Sequence, residues 1–237
     1  MYLKTLARAT CAAALVFASC SLRLPWSNEP IGDEVNVVFI IKNNLLFLPS
    51  ITLDGHAGRF ILGSANPQTV VDSKFAQSAH SLQLNQRQSV TISPVADDLH
   101  GVADAIIGAD AWGKNAITID YHAGLLTLQK YGIKPDMMTV FTYSDAPMIN
   151  VIVDGRTIPV AVDTASPDTL TLRSAGTTPG RRNAHVQIAG TDFGNVDVDY
   201  ADVTTPRIGN RLLSRFLVTI DYGRRVVGLW RDPRTAL

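Results

Sequence analysis

Residues 54–69 and 154–169 align without a gap, and this repeat constrains the fold more than any other feature of the chain. The first copy reads Asp54-Gly55, four residues, then Phe60-Ile61-Leu62-Gly63-Ser64-Ala65-Asn66-Pro67-Gln68-Thr69. The second reads Asp154-Gly155, four residues, then Val160-Ala161-Val162-Asp163-Thr164-Ala165-Ser166-Pro167-Asp168-Thr169. A further pair of segments follows at nearly the same spacing. Ile106-Ile107-Gly108, Thr118-Ile119-Asp120-Tyr121 and Leu126-Thr127-Leu128 answer to Arg207-Ile208-Gly209, Thr219-Ile220-Asp221-Tyr222 and Val227-Gly228-Leu229. A period of 20–50 residues indicates a solenoid. A period near 100 predicts two similar lobes, each large enough for its own core. The copies differ at one position that matters chemically: Gly63 stands where Asp163 stands.

Between these anchors the pattern is all-β. Val35 to Ile41 is a continuous apolar run rich in β-branched residues. Asp54-Gly55 and Asp154-Gly155 each separate two apolar runs, the strongest short-range hairpin signal. His185 to Ile188 and Val196 to Val198 alternate with period two around a turn placed at Gly190 to Gly194. Short helices are predicted near Ser73 to Leu82, Asp110 to Lys114 and Arg211 to Arg215. Lobes are predicted over residues 35–132 and 138–232, joined through a segment containing Gly132 and Pro135.

The N-terminus reads as a targeting segment over residues 1–19. Lys4 and Arg8 precede an apolar stretch, Cys11 to Ala18, far too short to span a membrane. Phe17-Ala18-Ser19-Cys20 resembles a bacterial lipobox, with Phe17 departing from the usual Leu; an ordinary secretory signal is the alternative. The resemblance implies lipidation at Cys20, a tether over residues 20–34, and the periplasmic side of the envelope. Ser21 points to the outer membrane. Cys11 and Cys20 are the only cysteines, so the mature chain would carry no disulfide.

Composition excludes several function classes. Lys and Arg total 21, as do Asp and Glu, so no basic field points to nucleic acid. His56, His80, His100, His122 and His185 are scattered without metal-ligand spacing. No Gly-rich phosphate loop and no nucleophile elbow is present. No metal or cofactor is expected.

A hairpin, an apolar strand, Asp-Thr-Gly-Ala/Ser and, later, two apolar residues with a Gly form the pattern of aspartic peptidases. Val162-Asp163-Thr164-Ala165-Ser166 resembles the catalytic strand and loop, and Ile106-Ile107-Gly108 resembles the segment crossing beneath the active site. Each half resembles a retropepsin protomer. The whole, over roughly residues 35–230, resembles the bilobal pepsin-like arrangement of two β-barrel lobes. The resemblance implies two carboxylates sharing a proton, one activating water and the other donating to the oxyanion and leaving amine. It makes Asp163 and Thr164 the site residues, with Ala165 and Ser166 on the loop and Gly63 and Ser64 as the degenerate counterpart. The motif's hydroxyl residues brace the two loops across the axis, and Ser64 and Thr164 keep those hydroxyls.

Three departures point away from efficient proteolysis. Gly63 supplies no carboxylate, and neither Asp54 nor Asp72 is in register to replace it. Ala65 and Ala165 replace the motif Gly, a cost in space and, at positive φ, in strain. Arg207 replaces an apolar residue of the crossing segment. The sequence therefore favours a catalytically impaired binder that holds an extended peptide in the interlobe cleft by strand-like hydrogen bonds. The alternatives are an endopeptidase assembled as a homodimer through two copies of Asp163, and a structural envelope lipoprotein. A short stretch between Val71 and Ile106 predicts a reduced flap in the first lobe.

Overall fold

The computed structural model describes residues 34–76, 79–174, 176 and 178–232. The targeting segment and nearly all of the tether, Cys20 included, lie outside the described residues.

The first half contributes β1 (Val35–Val38), β2 (Ile40–Lys42), β3 (Leu45–Phe47), β4 (Thr52–Leu53), β5 (Phe60–Leu62), β6 (Val70–Asp72), β7 (Ser81–Gln83), β8 (Ser89–Thr91), β9 (Val95–Asp97), β10 (Ala105–Ile107), β11 (Ala116–Asp120) and β12 (Leu125–Gln129). The second contributes β13 (Thr139–Thr142), β14 (Met148–Val153), β15 (Arg156–Val162), β16 (Leu170–Arg173), β17 (Gly180–Ile188), β18 (Thr191–Ala201), β19 (Arg207–Ile208), β20 (Leu217–Asp221) and β21 (Val226–Trp230), with a four-residue helix α1 (Asn210–Leu213). The protein is all-β, as its alternating and continuous apolar runs predict.

One six-stranded sheet joins the halves in the order β1-β12-β11-β20-β21-β13. Its centre is the antiparallel pair β11–β20, in which Thr118 faces Thr219 and their hydroxyls lie 2.9 Å apart. These two threonines are counterparts in the sequence repeat. Ile117 faces Ile220 and Ile119 faces Val218, so the register itself has twofold symmetry about the threonine pair. Burial favours the pairing: Ile117, Ile119, Val218 and Ile220 are all fully covered.

Each half adds strands of its own. In the second half, β14-β15-β19-β16-β18-β17 closes into a barrel. In the first half, β2-β3-β5-β10-β6-β9 stays an open sheet, and β4-β7-β8 forms a separate small one. The expectation of two closed barrels is therefore corrected. Strand continuity explains the difference. β17 and β18 run nine and eleven residues, and the one strand β18 pairs with β17 along one part and with β16 along another. In the first half the equivalent stretch is broken: β7 pairs with β4 and β8, and a separate strand, β9, runs parallel to β6. Between Val71 and Ile106 the described chain forms β7, β8 and β9 besides the ends of β6 and β10.

Other details differ from expectation. The run from Val35 to Ile41 is broken at Phe39, which turns into the core while Ile40 and Ile41 remain exposed. The turn between β17 and β18 sits at Ala189-Gly190, both at positive φ, and Thr191 to Gly194 belong to β18. No helix is present among the described residues of 73–82, whose C-terminal end is strand β7. The Asp-Gly turns do form as predicted: Asp54, Gly55, Asp154 and Gly155 all have positive φ, the conformation that a two-residue hairpin turn requires.

Candidate functional site

The two repeated loops leave β5 and β15 and meet above the twofold-symmetric sheet. The Ser64 N–H donates to Thr164 Oγ1 at 2.9 Å, and the Thr164 N–H donates to Ser64 Oγ at 3.1 Å. The Thr164 hydroxyl donates to the Leu62 carbonyl at 2.9 Å, and the Ser64 hydroxyl donates to the Val162 carbonyl. Ser64 and Thr164 are fully buried. Each loop thus satisfies backbone groups of the other by the same pair of bonds, and the brace expected of these hydroxyls is present.

The crossing segments dock in equivalent registers. β10 lies parallel to β5, with Ile106 opposite Ile61 and Ile107 opposite Leu62. β19 lies parallel to β15, with Arg207 opposite Ala161 and Ile208 opposite Val162. The Gly63 N–H donates to the Ile107 carbonyl, and the Asp163 N–H to that of Ile208. Both crossings need a glycine because backbone passes against backbone: a Cβ on Gly108 would overlap the Gln68 carbonyl, and one on Gly209 that of Asp168.

Asp163 sits at the end of β15 with its side chain 16% exposed. Its Oδ1 accepts the Ala165 N–H at 2.9 Å. Arg207 Nε lies 3.9 Å from its Oδ2, an ion pair without a hydrogen bond. That nitrogen is buried and has no hydrogen-bond partner among the described residues, while the Arg207 side chain as a whole is 38% exposed. Burial pushes the Asp163 carboxyl above the ordinary carboxylate range. The Ala165 N–H and the Arg207 charge pull it back down, and Asp168 pushes it further up.

The counterpart position is filled. A Cβ on Gly63 would overlap Ile106 Cγ2 and lie 3.0 Å from Asn66 Oδ1. Ile106 is the repeat partner of Arg207, and Asn66 of Ser166. The two copies have therefore diverged as matched sets: Gly with Ile overhead, and Asp with Arg beside it. Leu45, Ile61 and Ala103 form a small buried cluster here, with Phe47, Leu99, Ile106 and Ala165 packed on it and partly exposed. The first half's side of the site is apolar and the second half's side is charged.

The remaining candidates fall into place around this centre. Neither Ala65 nor Ala165 is among the residues with positive φ, so the backbone strain anticipated for an Ala there is not incurred. Ser166 is buried with its hydroxyl unpartnered among the described residues. Asp54 and Asp72 are committed to structure: Asp54 accepts the His80 and Ser81 N–H groups, and Asp72 those of Lys74 and Leu99. Sequence reasoning noted Arg207 as an odd residue but did not place it beside Asp163. The alignment of the repeat pairs Arg207 with Ile106 and Ser166 with Asn66 but does not show which side chains meet. It also missed Asn210, whose side chain accepts from the Tyr121 hydroxyl at 2.9 Å and donates to the carbonyls of Asn44 and Thr164 at 2.6 and 2.8 Å. Those bonds tie α1 to both halves and to the Thr164 loop. Tyr222, the repeat partner of Tyr121, donates to the Ser64 carbonyl at 3.2 Å.

No protein-family model matches this chain, and no curated protein sequence matches it.

Proposed function

We propose that this protein is a two-lobed, aspartic-peptidase-like envelope lipoprotein, anchored through Cys20, that holds an extended peptide in the cleft between its halves without cleaving it. The observation that carries the reading is the pairing of a retained brace with a filled site. Ser64 and Thr164 keep all four cross-loop bonds, while the space above Gly63 is taken by Ile106 and Asn66. Both halves dock their crossing segments alike, which supports common descent of two retropepsin-like units.

The chemistry follows from the groups present. Dyad hydrolysis needs one carboxylate to take a proton from water and a second acid to give one to the leaving amine. Asp163 can serve as the first. Arg207, which forms the ion pair with it, brings no carboxyl that could serve as the second. Arg207 also stabilises the ionised form of Asp163, opposing the shared-proton state. A homodimer built on two copies of Asp163 finds no support here, because the brace partner of Thr164 is already Ser64 of the same chain.

The reading is tested by incubating the protein and its Asp163→Asn variant with a mixed peptide library at pH 4 and pH 6, scoring cleavage and retention separately. Retention without cleavage by both proteins is the expected result. Cleavage by the parent that disappears in the variant would overturn it.

A further inference from the structure

Arg207 has no role in bracing the loops, yet it occupies the position that its repeat partner fills with an aliphatic side chain. We infer that the cleft recognises a carboxylate on its peptide ligand through Arg207, with the residue carrying that carboxylate seated on the neighbouring apolar surface of Phe47, Leu99, Ile106 and Ala165. The inference rests on the peptide-binding reading above and names the ligand chemistry of the same site.

Three observations carry it. First, the guanidinium is under-used. Its Nε is buried without a hydrogen bond, and its nearest carboxylate oxygen is 3.9 Å away, although an arginine offers five donors in a fork suited to a carboxylate. With the side chain 38% exposed, part of that fork is open to a ligand. Second, Asp163 is a weak competitor for it. One of its oxygens is engaged by the Ala165 N–H at 2.9 Å, and the other stays 3.9 Å from Arg207 Nε, beyond hydrogen-bond range. Third, the surroundings are amphipathic. Ala165 follows Asp163 by two residues and packs on the apolar cluster, so a charged anchor and an apolar shelf lie side by side. A C-terminal carboxylate and an acidic side chain share this chemistry.

Binding is read by fluorescence anisotropy of the full-length protein with fluorescein-labelled hexapeptide mixtures of randomised apolar sequence. The mixtures are prepared as free acids, as C-terminal amides, and as amides with one internal aspartate. The free acids or the aspartate amides should bind at least about tenfold more tightly than the plain amides, the scale of one charge-assisted contact. The better of the two identifies the source of the carboxylate. Arg207→Met should remove that advantage, and Arg207→Lys should restore part of it. Asp163→Asn, which removes the competing carboxylate, should tighten binding of the acidic mixtures at pH 7; this variant keeps the inference testable if Arg207→Met fails to fold. Equal binding of all three mixtures would sink the carboxylate inference and leave the peptide-binding reading standing. Binding of none would overturn both.

Discussion

The reciprocal brace gives the sharpest test of how the two halves are held together, and Thr164→Val isolates it. Valine matches threonine in shape, so no cavity opens, and the loss is confined to the hydroxyl. That hydroxyl makes two bonds at 2.9 Å, accepting from the Ser64 N–H and donating to the Leu62 carbonyl. Each such bond contributes about 1 kcal/mol net, and a buried N–H left without an acceptor costs a further ~1–3 kcal/mol. Thr164 is 0% exposed, so water cannot take over. The total is about 3–5 kcal/mol, which for a chain of this size lowers Tm by roughly 6–20 °C. Urea unfolding followed by circular dichroism measures the free-energy loss directly. Ser64→Ala breaks the mirror pair of bonds and should lose a similar amount, within about 1 kcal/mol. A Thr164→Val protein within about 0.5 kcal/mol of the parent, in the range of neutral surface changes, would refute the argument that the brace joins the halves.

Gly63→Asp alone should destabilise by about 1–3 kcal/mol through overpacking and yield no peptidase activity. Because the overlap is with Ile106 Cγ2, adding Ile106→Val should leave the loss in place while Ile106→Ala should relieve it, as thermal unfolding of the two double variants would show. Asn210→Leu strands the buried Tyr121 hydroxyl and two carbonyls, and should cost about 2–4 kcal/mol in urea unfolding. The raised Asp163 pKa means that the folded protein holds this proton more tightly than the unfolded chain does, so the contribution to stability is full below the ordinary value of 3.8 and is lost as pH rises through the folded value. Asp163→Asn should therefore flatten the decline of stability above pH 3.8, and an unchanged pH profile in urea titrations would count against the burial argument.

Much of the architecture is written locally. Asp54-Gly55 and Asp154-Gly155 specify their turns because a two-residue hairpin needs positive φ at both positions, and short-range backbone preference alone decides it. The crossings at Gly108 and Gly209 and the brace of Ser64 and Thr164 are implied by the resemblance of the repeated motifs, and the close contacts and hydrogen bonds are present. The carboxylate missing at Gly63 is likewise a fact of the sequence. Other features depend on which distant segments come together. Arg207 meets Asp163 only because β19 runs parallel to β15 in a register that sets it opposite Ala161, and no local propensity encodes that register. The filling of the space above Gly63 by Ile106 and Asn66 is a matter of side-chain volume in three dimensions. The first half stays open while the second closes because β18 runs unbroken from its pairing with β17 to its pairing with β16, whereas the first half makes those two pairings with separate strands, β8 and β9. The all-β class, the internal repeat and the Gly63–Asp163 mismatch follow from residue identity and spacing along the chain. What fills the space at Gly63 and what stands beside Asp163 depend on contacts between segments far apart in the chain, which packing and register set.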